Sequence, residues 1–339
     1  MQSEDAAPRT KRASIYDVAA AAGVSVSTVS RTMTKPDRVS FRTAEHVRRV
    51  AEQLGYRAEP TERMIDDSGT RMLAMVVADI TNPVFYGMIR GAERTAAHAG
   101  YTLLLLETQE SELAERTHLE RVRPTVDGLI LTSSRMSDST IRALAKISPL
   151  VVLNRIVAQV PSVVGDNVRG VKRAVEHLAE RGHGTLSYLS GPEASWADAM
   201  RWRGVIEACH ELGIKARRLG PFPPTIAGGA TAGEVWTAAP TTAVIAYNDL
   251  LAIGFLRAAT ASGHDVPRDV SVIGFDNIRD GQLIQPPLTT ISVPLPSLGS
   301  AAVNHLLKTR ALPAAPTRSV VLPARLVLRG TTGSMRSAH

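Results

Sequence analysis

Two groups of residues in this 339-residue chain have side chains and spacing suited to recognition chemistry. The first lies near the N-terminus: Tyr16, then Ser25, Val26, Ser27, Thr28, Ser30 and Arg31. Small polar residues and one guanidinium at the exposed start of a short helix can reach base edges in a major groove, with hydroxyls placed for phosphates. Val26, Ser27 and Arg31 are the expected readers, and Tyr16, Ser25 and Ser30 the expected phosphate contacts. The second group follows short apolar runs: Asp79 with Phe85 and Tyr86, then Trp196 and Arg201, then Asn248, then Asp276. Aromatic faces cover C–H surfaces while Arg, Asn and Asp fork onto hydroxyls, so this set suits a polyhydroxylated small molecule. Blander roles compete at single positions. Asn248 is also a good helix cap, Asp276 can satisfy loop amides, and of the adjacent Phe85 and Tyr86 one belongs in the core. Among rival classes, an enzyme is disfavoured, because the chain has no Gly-rich phosphate loop, GxSxG elbow or metal-spaced His/Cys set. No cofactor or metal is expected, and His177 and His183 are assigned to a helix C-terminus.

The elements that must hold the first group are three short helices within 13–54. Ile15, Val18, Ala19 and Ala22 form one apolar stripe. Gly23-Val24-Ser25 breaks the run, with Ser25 able to cap the next helix. That second helix, over about 26–33, buries Val29 and turns Val26, Ser27, Thr28 and Arg31 outward. A third starts after Ser40 and ends at Gly55. This is a helix-turn-helix pattern, with a purely structural three-helix bundle as its alternative. Charge favours DNA: residues 9–49 hold nine Lys or Arg against three acids, so they carry +6 of the chain's net +7.

From Met72 the pattern changes to short apolar runs alternating with helical stretches. The runs are 72–78, 102–106, 128–132, 149–153, 185–190, 242–247 and 269–275; helical periodicity covers 84–99, 169–181, 200–212 and 250–262. Such alternation predicts a doubly wound α/β arrangement of parallel sheets in two lobes, with ligands beyond the C-terminal strand ends. One cysteine, Cys209, permits no internal disulfide. The polar, basic N-terminus has no apolar signal core, and no segment is apolar enough to span a membrane, so a cytoplasmic location is expected. The missing signal core and the basic head also argue against a transport-type binding protein.

Ile15-Tyr16-Asp17-Val18-Ala19, Ala22-Gly23-Val24-Ser25 and Thr28-Val29-Ser30-Arg31 together resemble the DNA-binding head of the lactose-repressor (LacI/GalR-type) family of bacterial transcription regulators. The strand-end residues resemble that family's body, which has the fold of periplasmic sugar-binding proteins. The resemblance reaches Thr332. It implies a tail (1–11, expected disordered), a head (12–57), a hinge (58–70) and a body (71–333). The body's first lobe would comprise about 71–166 and 294–322, and its second about 167–293 and 323–333. It also implies a hinge helix that places Ile65 in the minor groove. The sequence departs from the family at Ala58, Glu59 and Glu62, and it adds Asp66 and Asp67. Val293 replaces a polar ligand contact seen in several members. The expected protein is an effector-responsive repressor, a homodimer or tetramer on a pseudo-palindromic double-stranded operator. Its effector is expected to be a carbohydrate or nucleoside; the alternatives are a regulator whose body answers a protein partner, or a non-regulatory small-molecule-binding protein.

Overall fold

The computed structural model describes residues 13–34, 39–54, 56, 69–311 and 319–335. The tail 1–11, Gly55, and the hinge up to residue 68 with Ile65 lie outside the described residues. The chain divides between Ser68 and Gly69 into two compact units.

The first unit holds helices α1 (Ile15–Ala22), α2 (Val26–Thr34) and α3 (Phe41–Gln53). Ser14 caps α1 reciprocally with Asp17: the Asp17 amide donates to Ser14 Oγ at 3.3 Å, and the Ser14 amide donates to Asp17 Oδ2 at 2.7 Å. Gly23 ends α1 at φ 65°, a left-handed turn that glycine adopts without steric cost. Val18, Ala19, Ala22, Val29, Val47, Val50 and Ala51 close a small core, with Ile15, Val24, Val26 and Tyr56 packed on its edge.

The second unit is the expected α/β body of two six-stranded sheets. In the first, β1 (Met72–Val77), β2 (Thr102–Glu107), β3 (Gly128–Thr132), β4 (Leu150–Leu153), β5 (Ser162–Gly165) and β11 (Val320–Leu322) run in the order β11-β5-β4-β3-β1-β2, all parallel. In the second, β6 (Thr185–Leu189), β7 (Lys215–Leu219), β8 (Ala243–Ala246), β9 (Ser271–Phe275), β10 (Thr289–Ser292) and β12 (Arg325–Val327) run in the order β12-β10-β9-β8-β6-β7, with only β12 antiparallel. Helices α4 (Val84–His98), α5 (Glu112–Val122), α6 (Asp138–Ala145) and α12 (Leu295–Ala311) belong with the first sheet. Helices α7 (Asn167–Glu180), α8 (Trp196–Leu212), α9 (Ile226–Thr237), α10 (Asp249–Ala261) and the short α11 (Asp280–Leu283) belong with the second.

Burial on both faces explains the unbroken apolar strands. Leu73, Met75 and Val77 of β1 enter one cluster, while Ala74 and Val76 enter another on the opposite face. The chain passes between the lobes after β5, after β10 and after β11. These crossovers pack tightly: Val293 is buried and leaves no room for a Cβ on Gly165, and the Asp166 amide donates to the Leu322 carbonyl at 2.8 Å. No helix among the described residues is long and apolar enough to cross a membrane.

Candidate functional site

In the first unit, α2 presents Ser27, Ser30 and Arg31 on one exposed face, at i, i+3 and i+4 spacing. Ser25 is exposed and caps α2, accepting from the Thr28 amide at 3.2 Å and sharing hydroxyl contacts with Ser27 (2.8 Å) and Thr28 (2.9 Å). Tyr16 is 69% exposed, an unusual degree for an aromatic side chain. Arg31, Arg42 and Arg48 are exposed and have no ion-pair partner among the described residues. Two side chains differ from the sequence expectation. Val26 is half-buried rather than turned outward, because its apolar surface packs against the head's core. Thr28 is half-buried too, its hydroxyl engaged by Ser25.

In the second unit, Asn82, Phe85, Glu110, Ser133, Arg135 and Asn154 of the first lobe face Arg201, Tyr247, Asn248 and Asp276 of the second. They surround a cavity of about 20 Å³, room for a single water. Ser195 caps α8 by accepting from the Asp198 amide at 3.3 Å, so this helix begins at Trp196, a turn earlier than its periodicity predicts. Arg201 therefore lies in the second turn, 4% exposed. Its Nη1 donates to the Tyr247 carbonyl and its Nη2 lies 3.2 Å from Asp276 Oδ1. The guanidinium lies 3.5 Å from the Phe275 ring centre and 4.8 Å from that of Tyr247. Its Nε is buried with no partner among the described residues.

Asp276 thus answers Arg201 rather than loop amides, and it holds a positive φ of 105°, a conformation non-glycine residues keep where function or packing demands it. Burial pushes its carboxyl up to about 6, and Arg201 limits the rise. Behind it, Asp249 accepts from the Thr290 hydroxyl (2.6 Å) and the Ile278 amide (2.8 Å); burial and the neighbouring Asp276 push it up to about 8.

Several candidates take other places. Phe85 is the buried member of its pair and lines the cavity; Tyr86 is 54% exposed and does not, since adjacent helical residues point about 100° apart. Asp79 turns its carboxylate back onto the Thr81 amide (2.8 Å) and hydroxyl (2.6 Å), closing a local turn, and does not line the cavity. Trp196 lines a neighbouring hollow, with Ser133, Arg135, Asn154 and Arg155. Asn248 lines the cavity but spends its Oδ1 capping α10 through the Leu251 amide (2.9 Å) and its amide on the Pro224 carbonyl (3.1 Å). His177 and His183 fasten the C-terminal segment instead of a helix end, through Thr332 (3.0 Å) and through Ser271 (3.0 Å) with Gly333 (3.1 Å).

Glu110, Arg135 and Asn154 are absent from the candidates that sequence reasoning selects. Asn154 directly follows β4, and Arg135 and Glu110 lie three residues past the ends of β3 and β2, so applying the strand-end rule to every strand finds them.

A helix-turn-helix unit with exposed guanidiniums, joined in one chain to a two-lobed α/β body, defines the class: a DNA-binding transcriptional regulator. Comparison with known proteins places it further. Residues 14–59 match the family of bacterial regulatory proteins, lacI family, and residues 175–332 a periplasmic binding protein-like domain. The chain is 33% identical over 336 residues to the HTH-type transcriptional repressor CytR of Escherichia coli (strain K12), covering 95% of this chain and 97% of that protein. The lac repressor dimer bound to operator and the anti-inducer ONPF superposes with a TM-score of 0.82 at 26% identity, over 96% of this chain and 100% of that one. A LacI family transcriptional regulator from Enterococcus faecalis V583 with bound ribose gives 0.71 at 29% identity, over 78% and 100%. The chain belongs to the lacI family of bacterial regulatory proteins.

Proposed function

We propose that this protein is a cytoplasmic, non-enzymatic repressor whose operator affinity is set by a small polyhydroxylated molecule, of sugar or nucleoside class, held between the two lobes. The observation that carries this is the buried Arg201, which lines the cavity, fixed by Asp276 and Tyr247 and stacked on Phe275, with its Nε unpartnered among the described residues. Phe85 covers the ligand from the other lobe. With about 20 Å³ between the lobes, a sugar-sized ligand enters only if they part, so binding is coupled to lobe orientation. The ribose-bound relative supports the ligand class, and the lac repressor complex supports a dimer on two half-sites. On each half-site Ser27 and Arg31 read bases, Tyr16, Ser25 and Ser30 hold phosphates, Val26 and Thr28 act at the groove edge, and Ile65 enters the minor groove. In domain terms, 12–57 binds DNA, 58–70 connects, and 71–333 binds effector and dimerises.

Selection of random duplexes by the full chain, followed by a thermal-shift screen of sugars and nucleosides, tests this reading. The expected outcome is an inverted repeat from the selection, plus at least one compound that raises the melting temperature and changes affinity for that repeat. A selected site without two-fold symmetry contradicts the dimer, and a stabilising compound that leaves DNA affinity unchanged contradicts effector control.

A further inference from the structure

We infer that the effector is uncharged, and that the Glu110–Arg135 ion pair in the first lobe is the device that enforces this. The inference rests on the cleft being the effector site. Arg135 is gripped by Glu110 through both its Nε and its Nη2, and its side chain is only 8% exposed. Across the cavity, Arg201 is matched by Asp276. Both cations of the cavity wall therefore have their own carboxylate, and the wall is neutral. Just outside it, the charge of Arg155 is likewise matched, by Asp138 at 2.6 Å, and its Nη1 donates to the carbonyls of Ser134 (2.9 Å) and Met136 (2.7 Å), while its Nε has no partner among the described residues. The other polar lining groups, Asn82, Ser133, Asn154 and Asn248, are uncharged.

A neutral hydroxylated ligand needs only hydrogen bonds from such a wall. A phosphate ester brings up to two negative charges, and no uncompensated cation awaits them. To gain one, it must strip Arg201 from Asp276, which leaves a buried carboxylate unpaired, or Arg135 from Glu110, which breaks the two-point grip on a guanidinium that is itself only 8% exposed. Backbone anchoring opposes such an exchange. The Arg135 amide donates to the buried Glu115 at 3.0 Å, and the Glu110 amide donates to the Ala78 carbonyl at 3.0 Å. The head shows the alternative arrangement within the same chain: where a polyanion is the target, Arg31, Arg42 and Arg48 are exposed, with no ion-pair partner among the described residues.

The test is isothermal titration of the full chain with D-ribose, D-glucose, cellobiose, adenosine and cytidine, and with ribose 5-phosphate, glucose 6-phosphate, AMP and CMP. The proposal expects the best neutral compound to bind at least about tenfold tighter than its own phosphate. Glu110→Gln, which leaves Arg135 unmatched, should shrink or invert that ratio, and Glu110→Gln with Arg135→Met should restore it. A loss of packing alone would not produce that recovery, so the pattern separates charge balance from folding. A phosphorylated compound that binds as tightly as its neutral parent overturns the proposal, as does a ratio unchanged in Glu110→Gln. If the phosphate wins and Arg201→Lys abolishes its binding, the cleft remains the effector site and only the charge rule falls. If no compound binds, or Arg201→Lys leaves binding intact, the site reading falls with it.

Discussion

The arginines of the head and those of the cleft use one side chain for opposite ends. On the head, Arg31, Arg42 and Arg48 stand in water without ion-pair partners among the described residues. In the cleft, Arg135 and Arg201 are buried and each is matched by a carboxylate. An exposed, unmatched guanidinium contributes little to folding, but it attracts any polyanion and releases counterions on contact. A buried, matched one is bound up with stability, and it offers a ligand a fixed direction for hydrogen bonds rather than net charge. On the proposed reading, affinity for DNA and selectivity for a small molecule come from the same group in two dielectric settings.

Identical substitutions in the two regions should separate these roles most sharply. Arg201→Ala leaves the Asp276 carboxylate buried and unmatched, so it should lower stability by about 3–5 kcal/mol. Arg31→Ala should change stability by less than about 0.5 kcal/mol, since the side chain is exposed and makes no ion pair among the described residues. Urea unfolding of the two variants measures both. Similar losses in the two would break the contrast.

The converse holds on DNA. Arg31→Ala should weaken binding to the selected operator by about 1–3 kcal/mol, with a smaller loss on random duplex, if the guanidinium reads a base. Fluorescence anisotropy with both duplexes checks this, and equal losses would reduce Arg31 to a phosphate contact.

The cleft's buried carboxylates also predict a pH dependence. The folded protein keeps the Asp249 proton up to about 8 and the Asp276 proton up to about 6, whereas the unfolded chain releases both near 3.8. The stability these groups contribute is complete below pH 3.8 and is lost as pH rises toward 6 for Asp276 and 8 for Asp249, at no more than about 1.4 kcal/mol per pH unit for each proton. Asp249→Asn, which can still accept from the Ile278 amide, should flatten the fall between pH 6 and 8. Unfolding curves across that range test it, and an unchanged slope would place the titrating group elsewhere. A modest loss of stability is expected at the head, where Ser25→Ala removes the cap of α2. It should cost about 1 kcal/mol, read as faster amide exchange in α2 with the body unaffected.

The legibility of this fold follows burial. Strands covered on both faces, such as Met72–Val77 and Ser271–Phe275, are apolar runs visible in sequence. The edge strand Lys215–Leu219 carries three basic residues, and the strands at the crossovers are three or four residues long, so neither shows a period. Thr289–Ser292 is buried yet polar, because Thr290 serves Asp249. Within the site, Arg201 and Asp276 could be found because ligands gather beyond strand ends. The choice between Phe85 and Tyr86 needed the packing of α4, and Asp79 was lost to a local turn that composition does not reveal. The Glu110–Arg135 pair joins residues 25 apart, a partnership only the folded lobe displays.

The central claim, that a ligand acting through Arg201 controls the head, is tested most directly by a dose–response of operator binding. The compound that most stabilises the full chain is titrated against operator-bound parent and Arg201→Lys, with anisotropy as the readout. Lysine keeps a cation beside Asp276 but loses the planar fork. The account predicts equal operator affinity without ligand, and a half-maximal ligand concentration raised roughly tenfold or more in the variant. A variant that responds at the parent's concentration would contradict it.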